Sequence, residues 1–282
     1  MASLMIGMDF YDTGVYLGLW AEEDRGAKSF AVPGISDEED GHIPLYVVPG
    51  NGEFYAGHEG IEYAIREHCN GVSVLYGRNV REKIAVNMEE YDSTVLLSGF
   101  MGAVLGAVKK HFGGASIARL CVTGTRMNDA DEKRLKTAME MLGLKPDQYA
   151  VINHANAYAR YMLNQKEEDR KGRAAAIDFD ALGAMIYSFV PYENRSGAPS
   201  HILSDDLSMM FKSDLSNNEK DSKEDEQIKA FENIVNTAIS KNLPLARLLV
   251  TGKSVDNEKI KNVLKKYASE NIRIFFGQNL YS

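Results

Sequence analysis

Residues 5–19 of the chain, MIGMDFYDTGVYLGL, are the stretch that decides the fold. Two apolar runs flank a short polar turn, and the first run ends in Asp9. This pattern is typical of a buried β-hairpin. The pattern returns at residues 175–189, where Asp178 stands 169 positions after Asp9 and a glycine follows at the same spacing. The repetition predicts that one hairpin occurs twice in the fold.

A second segment is also repeated. Residues 118–124, ARLCVTG, recur as ARLLVTG at residues 246–252, and a helical pattern follows each copy. The order of hairpin, strand, Thr-Gly and helix therefore occurs twice, with an insertion in the first copy. This order predicts a duplicated α/β unit with a largely buried, mostly parallel sheet in each copy. The alternative is that apolar-Asp and apolar-Thr-Gly are simply common strand endings.

The longest helical pattern follows the insertion. Apolar residues recur with the 3.6-residue period over residues 95–112, which predicts a core helix capped by Asp92 or Ser93. Residues 129–132 have the spacing of a capping box for the next helix. In the second copy, a stretch rich in Gly, Pro, Ser and Asn separates the hairpin from a helix that is predicted to begin at Ser222.

A chain of 282 residues has the natural size of two compact lobes. We predict a first lobe over residues 1–165, with an inserted subdomain at about 34–90. The second lobe is predicted over residues 173–282. The charged run at residues 166–173 is the predicted boundary between the two lobes.

The composition excludes several classes of function. A net charge of −8 and a pI near 5.4 argue against nucleic-acid binding, which needs clustered Lys and Arg. No apolar run approaches the ~20 residues of a membrane helix, so no membrane partner is predicted. The two cysteines, Cys69 and Cys121, suit a reducing compartment. These features together favour a cytoplasmic location.

The order of these signals resembles that of the actin and heat-shock-chaperone ATPase superfamily, which includes sugar kinases and bacterial filament proteins. The resemblance implies two duplicated ribonuclease-H-like lobes with an interlobe cleft that holds ATP or ADP with magnesium. The first phosphate loop would contain Asp9, Asp12, Thr13 and Gly14.

The second phosphate loop of this resemblance would contain Asp178, Asp180 and Gly183. The adenosine loop would contain Gly252, Lys253 and Ser254, which follow the second copy of the repeated strand. In the superfamily, the two strand-end carboxylates that match Asp9 and Asp178 hold a hydrated magnesium ion, and hard cations accept such oxygen ligands.

The phosphate loops depart from the superfamily pattern. Family members use glycines there so that backbone N–H groups can approach phosphate oxygens closely. Tyr11 and Asp12 replace such small residues in the first loop, and residues 180–182 replace a glycine run in the second. A carboxylate ~4 Å from a phosphate charge would repel it by about 4 kcal/mol at an effective dielectric of ~20. The loops are therefore predicted to bind a triphosphate weakly.

Two further superfamily positions are changed. The acidic residue that precedes the helix after Ile152 appears as His154, and a lysine near Gly57 appears as Ile61. The second copy is too short for the outer subdomain that covers adenine in chaperones. We expect the sequence to be a piece of a longer protein, truncated at its C-terminus.

These departures predict a pseudo-enzyme without catalytic residues. It would be a non-catalytic or weakly nucleotide-binding regulatory or assembly module, with ATP or ADP and magnesium bound weakly or no nucleotide at all. Its partner would be another protein or a second copy of itself. Two alternatives stay open, namely an active magnesium-ATP-dependent ATPase or phosphotransferase and a filament-forming actin-like protein.

Overall fold

The computed structural model describes residues 3–11, 13–21, 26–73, 75–77, 80–163, 172–180, 183–193, 199–210, 222–252, 258–268 and 272–276. The chain divides into two compact units, of which the first holds residues 1–154 and the second holds residues 155–280. Residues 164–171, which contain most of the predicted lobe boundary, lie outside the described residues.

The first unit contains most of the elements. In chain order they are β1 (Ser3–Phe10), β2 (Gly14–Ala21), β3 (Gly26–Ser29), β4 (Ile43–Pro44), β5 (Val47–Gly50), β6 (Glu53–Ala56), α1 (Gly57–Glu67), β7 (Lys83–Val86), β8 (Glu89–Asp92), α2 (Ser93–His111), β9 (Ser116–Gly124), α3 (Asp129–Met141) and β10 (Tyr149–Asn153). Helix α4 (His154–Leu163) begins at the last residue of this unit.

The first sheet has the strand order β10-β9-β1-β2-β3, and β4 pairs with β2 off this path. Strands β1, β9 and β10 run parallel, whereas β2 pairs antiparallel with β1 and β3. Alternate residues of β1 enter the core because side chains on a strand alternate between its two faces. Ile6, Met8 and Phe10 are buried there with Phe100 and Val104 of α2.

The inserted region contains two hairpins and one helix. Strands β5 and β6 are joined by a tight turn in which Asn51 and Gly52 have positive φ. Strands β7 and β8 form a second hairpin, which the sequence pattern does not predict. That strand pair carries many charged residues, and its turn uses Asn87 and Met88 at positive φ in place of glycine. The usual turn signal is therefore missing.

The helix caps agree with the prediction at α2 and differ from it at α3. The Asp92 carboxylate accepts a hydrogen bond from the Thr94 N–H at 2.7 Å, which confirms one of the two predicted caps. At α3 the capping box lies one residue earlier than predicted. Asn128 caps the helix, and the Asp131 carboxylate returns a bond to the Asn128 N–H. The prediction from residues 129–132 was wrong because Asn128 is itself a strong N-cap residue.

The second unit begins with the rest of α4. In chain order its other elements are β11 (Arg173–Asp180), β12 (Gly183–Glu193), β13 (Pro199–Met210), α5 (Ser222–Lys241), β14 (Leu245–Gly252), α6 (Glu258–Tyr267) and β15 (Arg273–Phe276). Ile177 and Ile186 of its sheet are buried with Phe231 and Val235 of α5. Strand β13 lies where the polar composition predicts no regular structure.

The second sheet has the order β13-β12-β11-β14-β15, which matches the path β3-β2-β1-β9-β10 of the first sheet, whereas β4 has no counterpart among its described strands. In each sheet the central strand pairs with its antiparallel hairpin partner on one side and with a parallel strand on the other, and a second parallel strand lies beyond that one. The mixed pairing confirms the α/β class. The expectation of mostly parallel sheets was wrong, because the hairpin strand and its outer neighbour run antiparallel.

The two sheets also share their register. Asp9 pairs with Thr123 across the parallel ladder, and Asp178 pairs with Thr251 in the same way. The parallel ladder shifts register between Leu4 and Met5 in the first sheet. It shifts between Arg173 and Ala174 in the second, which are the equivalent positions. The repetition of this register shift at equivalent positions extends the likeness beyond strand order.

No helix within the described ranges combines the length and the apolar character that crossing a membrane requires.

Candidate functional site

The first strand-end carboxylate is bonded to a histidine. Asp9 lies near the end of β1, and His154 follows directly after β10. The carboxyl ends of parallel strands meet at one edge of a sheet, so these residues converge. Asp9 Oδ1 lies 2.5 Å from His154 Nε2, and His154 is fully buried. An ionised carboxylate only accepts hydrogen bonds, so Nε2 carries the proton and donates it.

A row of four rings extends from His154 over the first hairpin. The His154 ring meets Tyr11 edge-on at 5.3 Å between centroids, and Tyr11 meets Tyr16 edge-on at 5.7 Å. Tyr16 in turn contacts His42 at 5.5 Å. We call His154, Tyr11, Tyr16 and His42 the aromatic row. These contacts place apolar ring surface beside the predicted first phosphate loop.

The glycine of this loop is covered by the last ring of the row. A Cβ atom at Gly14 would lie 1.9 Å from His42 Nε2, so the imidazole occupies the space that glycine leaves open. Within the loop, the Tyr11 N–H donates to the Gly14 carbonyl at 2.8 Å. This N–H is therefore used inside the hairpin. The close approach of His42 is enough to explain why residue 14 is a glycine, and a bound phosphate is not needed to explain it.

An acidic loop holds His42 in place. The His42 N–H donates to Asp40 Oδ1 at 2.8 Å, and its ring Nδ1 lies 3.5 Å from Asp37 Oδ2. Asp37 Oδ1 also lies 2.7 Å from His58 Nε2 at the start of α1. The carboxylate of Asp37 thus lies between two imidazoles. It connects α1 to His42, which in turn contacts Tyr16 of the first hairpin.

Tyr16, a member of the aromatic row, has a shifted pKa. Burial raises the pKa of the Tyr16 phenol well above its usual range, and the nearby carboxylates of Asp40, Asp37 and Asp9 raise it further. The Tyr16 Oη atom is buried and has no hydrogen-bond partner among the described residues. The neutral phenol is therefore the stable form in this position.

The second strand-end carboxylate has hydroxyl partners instead. Asp178 is 1% exposed, and its Oδ1 accepts a hydrogen bond from Thr251 Oγ1 at 3.0 Å. Tyr158 Oη of α4 lies 2.5 Å from the same Thr251 oxygen. Because the single Thr251 proton is directed to Asp178, Tyr158 donates to Thr251. Tyr158, Thr251 and Asp178 therefore form a buried chain of two hydrogen bonds within the second unit.

In a comparison with protein-family models, residues 32–282 match the C-terminal model of a family of unknown function, DUF5716. The chain belongs to the DUF5716 family. The matched residues include His42, His154 and Asp178, whereas Asp9 precedes them. No curated protein matches the sequence.

The structure of this DUF5716 chain describes seven of the predicted site residues. Asp9, Gly14 and Asp178 are buried at the positions given above, and Thr13 is exposed. Asp180 ends β11 opposite Gly183, which begins β12, and Gly252 ends β14. Asp12, Lys253 and Ser254 lie outside the described residues.

The surroundings of Asp9 do not fit a magnesium ion well. Magnesium takes oxygen ligands in a near-octahedral arrangement, but the close partner of Asp9 is the imidazole of His154. Among the residues that the structure describes, no group of three or more His, Cys, Asp and Glu could hold a metal ion. The suggestion that Asp9 and Asp178 share one magnesium ion remains a prediction.

Sequence reasoning missed the role of His42 in the DUF5716 chain. The residue stands far from Gly14 along the chain and belongs to no motif. Only the pairing of Gly14 with Pro44, between β2 and β4, brings His42 to the hairpin. His154 was recognisable as a changed superfamily position, but its bond to Asp9 depends on the parallel pairing of three strands.

Proposed function

We propose that this DUF5716 chain is a degenerate member of the actin and heat-shock-chaperone superfamily. It works as a non-catalytic regulatory or assembly module, and it binds ATP or ADP weakly or not at all. The matching strand order and register of the two sheets support the superfamily assignment. A carboxylate at the end of each central strand supports it further.

One observation carries the non-catalytic part of the proposal. The aromatic row covers the first hairpin, and its two terminal rings contact the groups that a nucleotide would need. His154 bonds Asp9, and His42 fills the space beside Gly14. A phosphate would have to displace these rings, and it would still face the carboxylates of Asp37 and Asp40, which lie close to Tyr16.

Isothermal titration calorimetry with magnesium-ATP and magnesium-ADP tests the proposal on the full chain. We expect no saturable heat at micromolar nucleotide. A matched variant, His42→Ala, removes the ring beside Gly14 and should bind nucleotide at least as well as the wild type. Saturable micromolar binding by the wild type would overturn the proposal.

Phosphate release distinguishes the proposal from an active ATPase. We expect the wild type, Asp9→Asn and Asp178→Asn to release phosphate from ATP at the same background rate. A wild-type rate that exceeds both variants by tenfold or more would instead indicate catalysis through these carboxylates. Circular dichroism of each variant confirms that the compared proteins are folded.

A further inference from the structure

One face of the first sheet has large apolar side chains that are exposed. Side chains of β1 alternate, and the residues that point away from the core include Met5 and Gly7. Met5 pairs with Trp20 of β2 and with Arg119 of β9, while Gly7 pairs with Gly18. We call Met5, Gly7, Gly18, Trp20 and Arg119 the open face. Met5 is 38% exposed and Trp20 is 42% exposed, although both are large and apolar.

The equivalent face of the second sheet is buried. The positions that match the open face are Ala174, Ala176, Tyr187, Phe189 and Arg247, and each is at most 3% exposed. The large difference in exposure is not a property of the strands themselves, because order and register are the same in both sheets.

Helix α4 lies on the buried face of the second sheet. The Tyr158 ring lies 5.7 Å from the Tyr187 ring, and its hydroxyl bonds Thr251. Buried residues of α4 include Ala155, Tyr158, Ala159 and Met162, which have the i, i+3, i+4, i+7 spacing of one helix face. The sheet surface of the second unit is thus completed by an amphipathic helix with small and large apolar residues.

The open face has room for a similar helix. Gly7 and Gly18 lie opposite each other in the middle of their strands, and neither has a positive φ. A Cβ atom at either position would come no closer than 3.8 Å to another atom. Glycine weakens a strand interior, and it often marks a place where another backbone approaches closely. In the second sheet the same positions are Ala176 and Tyr187.

A buried hydroxyl gives an independent indication that a contact is missing. Thr123 is the counterpart of Thr251 and lies on the same side of the first sheet as the open face. It is 7% exposed, and its Oγ1 atom has no hydrogen-bond partner among the described residues. In the second unit the corresponding oxygen receives the Tyr158 hydroxyl of the covering helix. A buried hydroxyl without a partner costs free energy and so requires an explanation.

We propose that the open face is a docking site for an amphipathic α-helix of a partner protein. The bound helix has small apolar residues over Gly7 and Gly18 and an aromatic residue near Thr123. This inference rests on the proposed assembly role. It identifies the partner as a protein that binds this chain through the apolar face of a helix.

The single tryptophan of the chain, Trp20, reports on this site. The probe is a hydrocarbon-stapled peptide with the α4 sequence HANAYARYML, titrated into the full chain while tryptophan emission is recorded. Its matched control carries serine at the positions of Tyr158 and Met162. We expect a saturable shift of the emission to shorter wavelength and protection from acrylamide quenching, with about tenfold weaker binding of the control peptide.

Protein variants locate the binding. Gly18→Leu fills the open face, and Met5→Glu places a charge on it, so each should weaken the peptide at least tenfold while Trp20 is retained. Ile65→Glu on α1, at an apolar residue that is 70% exposed, is the matched control and should bind like the wild type. Met5→Glu changes an exposed strand position, so it keeps the test valid if Gly18→Leu does not fold.

Three outcomes of the peptide titration would overturn the inference. They are no emission shift with the stapled peptide, an equal shift in Met5→Glu and the wild type, or an equal effect of Ile65→Glu. A concentration-dependent emission shift without peptide, together with dimers in analytical ultracentrifugation, would assign the face to a second copy and also overturn it. No nucleotide enters this assay, so its failure is distinguishable from failure of the calorimetric test above.

Discussion

Asp9 and Asp178 occupy the same position in two sheets of the same order and register, yet their partners differ in chemical type. Asp9 is bonded to the imidazole of His154, whereas Asp178 is bonded to the Thr251 hydroxyl, which in turn accepts from the Tyr158 hydroxyl. Both carboxylates are almost fully buried. The comparison shows that two sheets of the same order and register can each hold a buried strand-end carboxylate with different hydrogen-bond partners.

The faces beside these carboxylates differ in a related way. In the second unit, Tyr158 of α4 both covers the sheet and completes the hydrogen bonds of Thr251. In the first unit, Thr123 lacks that partner among the described residues, and Trp20 remains exposed. A helix bound to the first face, as proposed above, would supply a partner for the Thr123 hydroxyl and would cover the exposed apolar surface. Equivalent substitutions in the two units measure this difference directly.

The largest expected difference is at the paired aromatic residues. Phe189→Ala removes a ring that is 2% exposed, and we expect it to lower the free energy of unfolding by about 3–5 kcal/mol. Trp20→Ala removes the equivalent ring, which is 42% exposed, and should cost less than about 1.5 kcal/mol. Urea titration followed by circular dichroism measures both. Equal losses would show that the first face is as well packed as the second.

The next effect concerns the buried pair of Asp9 and His154. His154→Ala leaves a buried carboxylate without its partner and should destabilise the chain by about 3 kcal/mol. Asp9→Ala should have a similar cost, and the double variant should cost clearly less than the two single losses together. Thermal unfolding of the four proteins gives the coupling energy. Additive losses would contradict a direct interaction between the two side chains.

Substitutions at Thr251 and Thr123 should have smaller effects on stability. They are easier to compare, because both residues are threonines at the same position of the register. Thr251→Val removes the donor to Asp178 and the acceptor of Tyr158, and should cost about 1–3 kcal/mol. Thr123→Val removes a buried hydroxyl without a partner and should be neutral or stabilising by up to about 1 kcal/mol. A loss of more than 1 kcal/mol at Thr123 would mean that its hydroxyl makes a structural bond.

Much of the fold could be predicted from local patterns. The repeated hairpin, the Thr-Gly strands and α2 all follow from the alternation or helical period of apolar residues. Strand β13 could not, because its sequence PSHILSDDLSMM has a polar centre and follows turn-forming residues. A strand of this kind forms through tertiary pairing, here with β12, and local propensity does not reveal it.

The candidate site was predictable only as a set of positions. Asp9, Gly14 and Asp178 follow from the repeat, since strand-end residues lie at a sheet edge. Their partners could not be derived, because His42 and His154 reach the first hairpin through long-range strand pairing. The sequence shows which residues stand at strand ends, and the pairing of distant strands determines what each of them contacts.

The smallest effect is at Tyr16, whose counterpart in the second sheet is Met185. The phenol has no hydrogen-bond partner among the described residues, so Tyr16→Phe should change the free energy of unfolding at pH 7 by less than about 1 kcal/mol. Because the folded chain raises the pKa of Tyr16, it binds that proton more tightly than the unfolded chain does. This contribution is complete below about pH 10, the ordinary pKa of tyrosine, and is lost as the pH rises further.

Tyr16→Phe should therefore resist alkaline unfolding better than the wild type. The difference in melting temperature between the two proteins should be small from pH 7 to 9 and should widen above pH 10, with the variant the more stable. Differential scanning calorimetry over this range measures it, with Tyr16→Met as a second variant that copies the residue of the other sheet. If both variants lose stability in parallel with the wild type above pH 10, the buried phenol is not the group that makes the first hairpin sensitive to alkali, and the electrostatic difference between the two sheets is confined to the partners of Asp9 and Asp178.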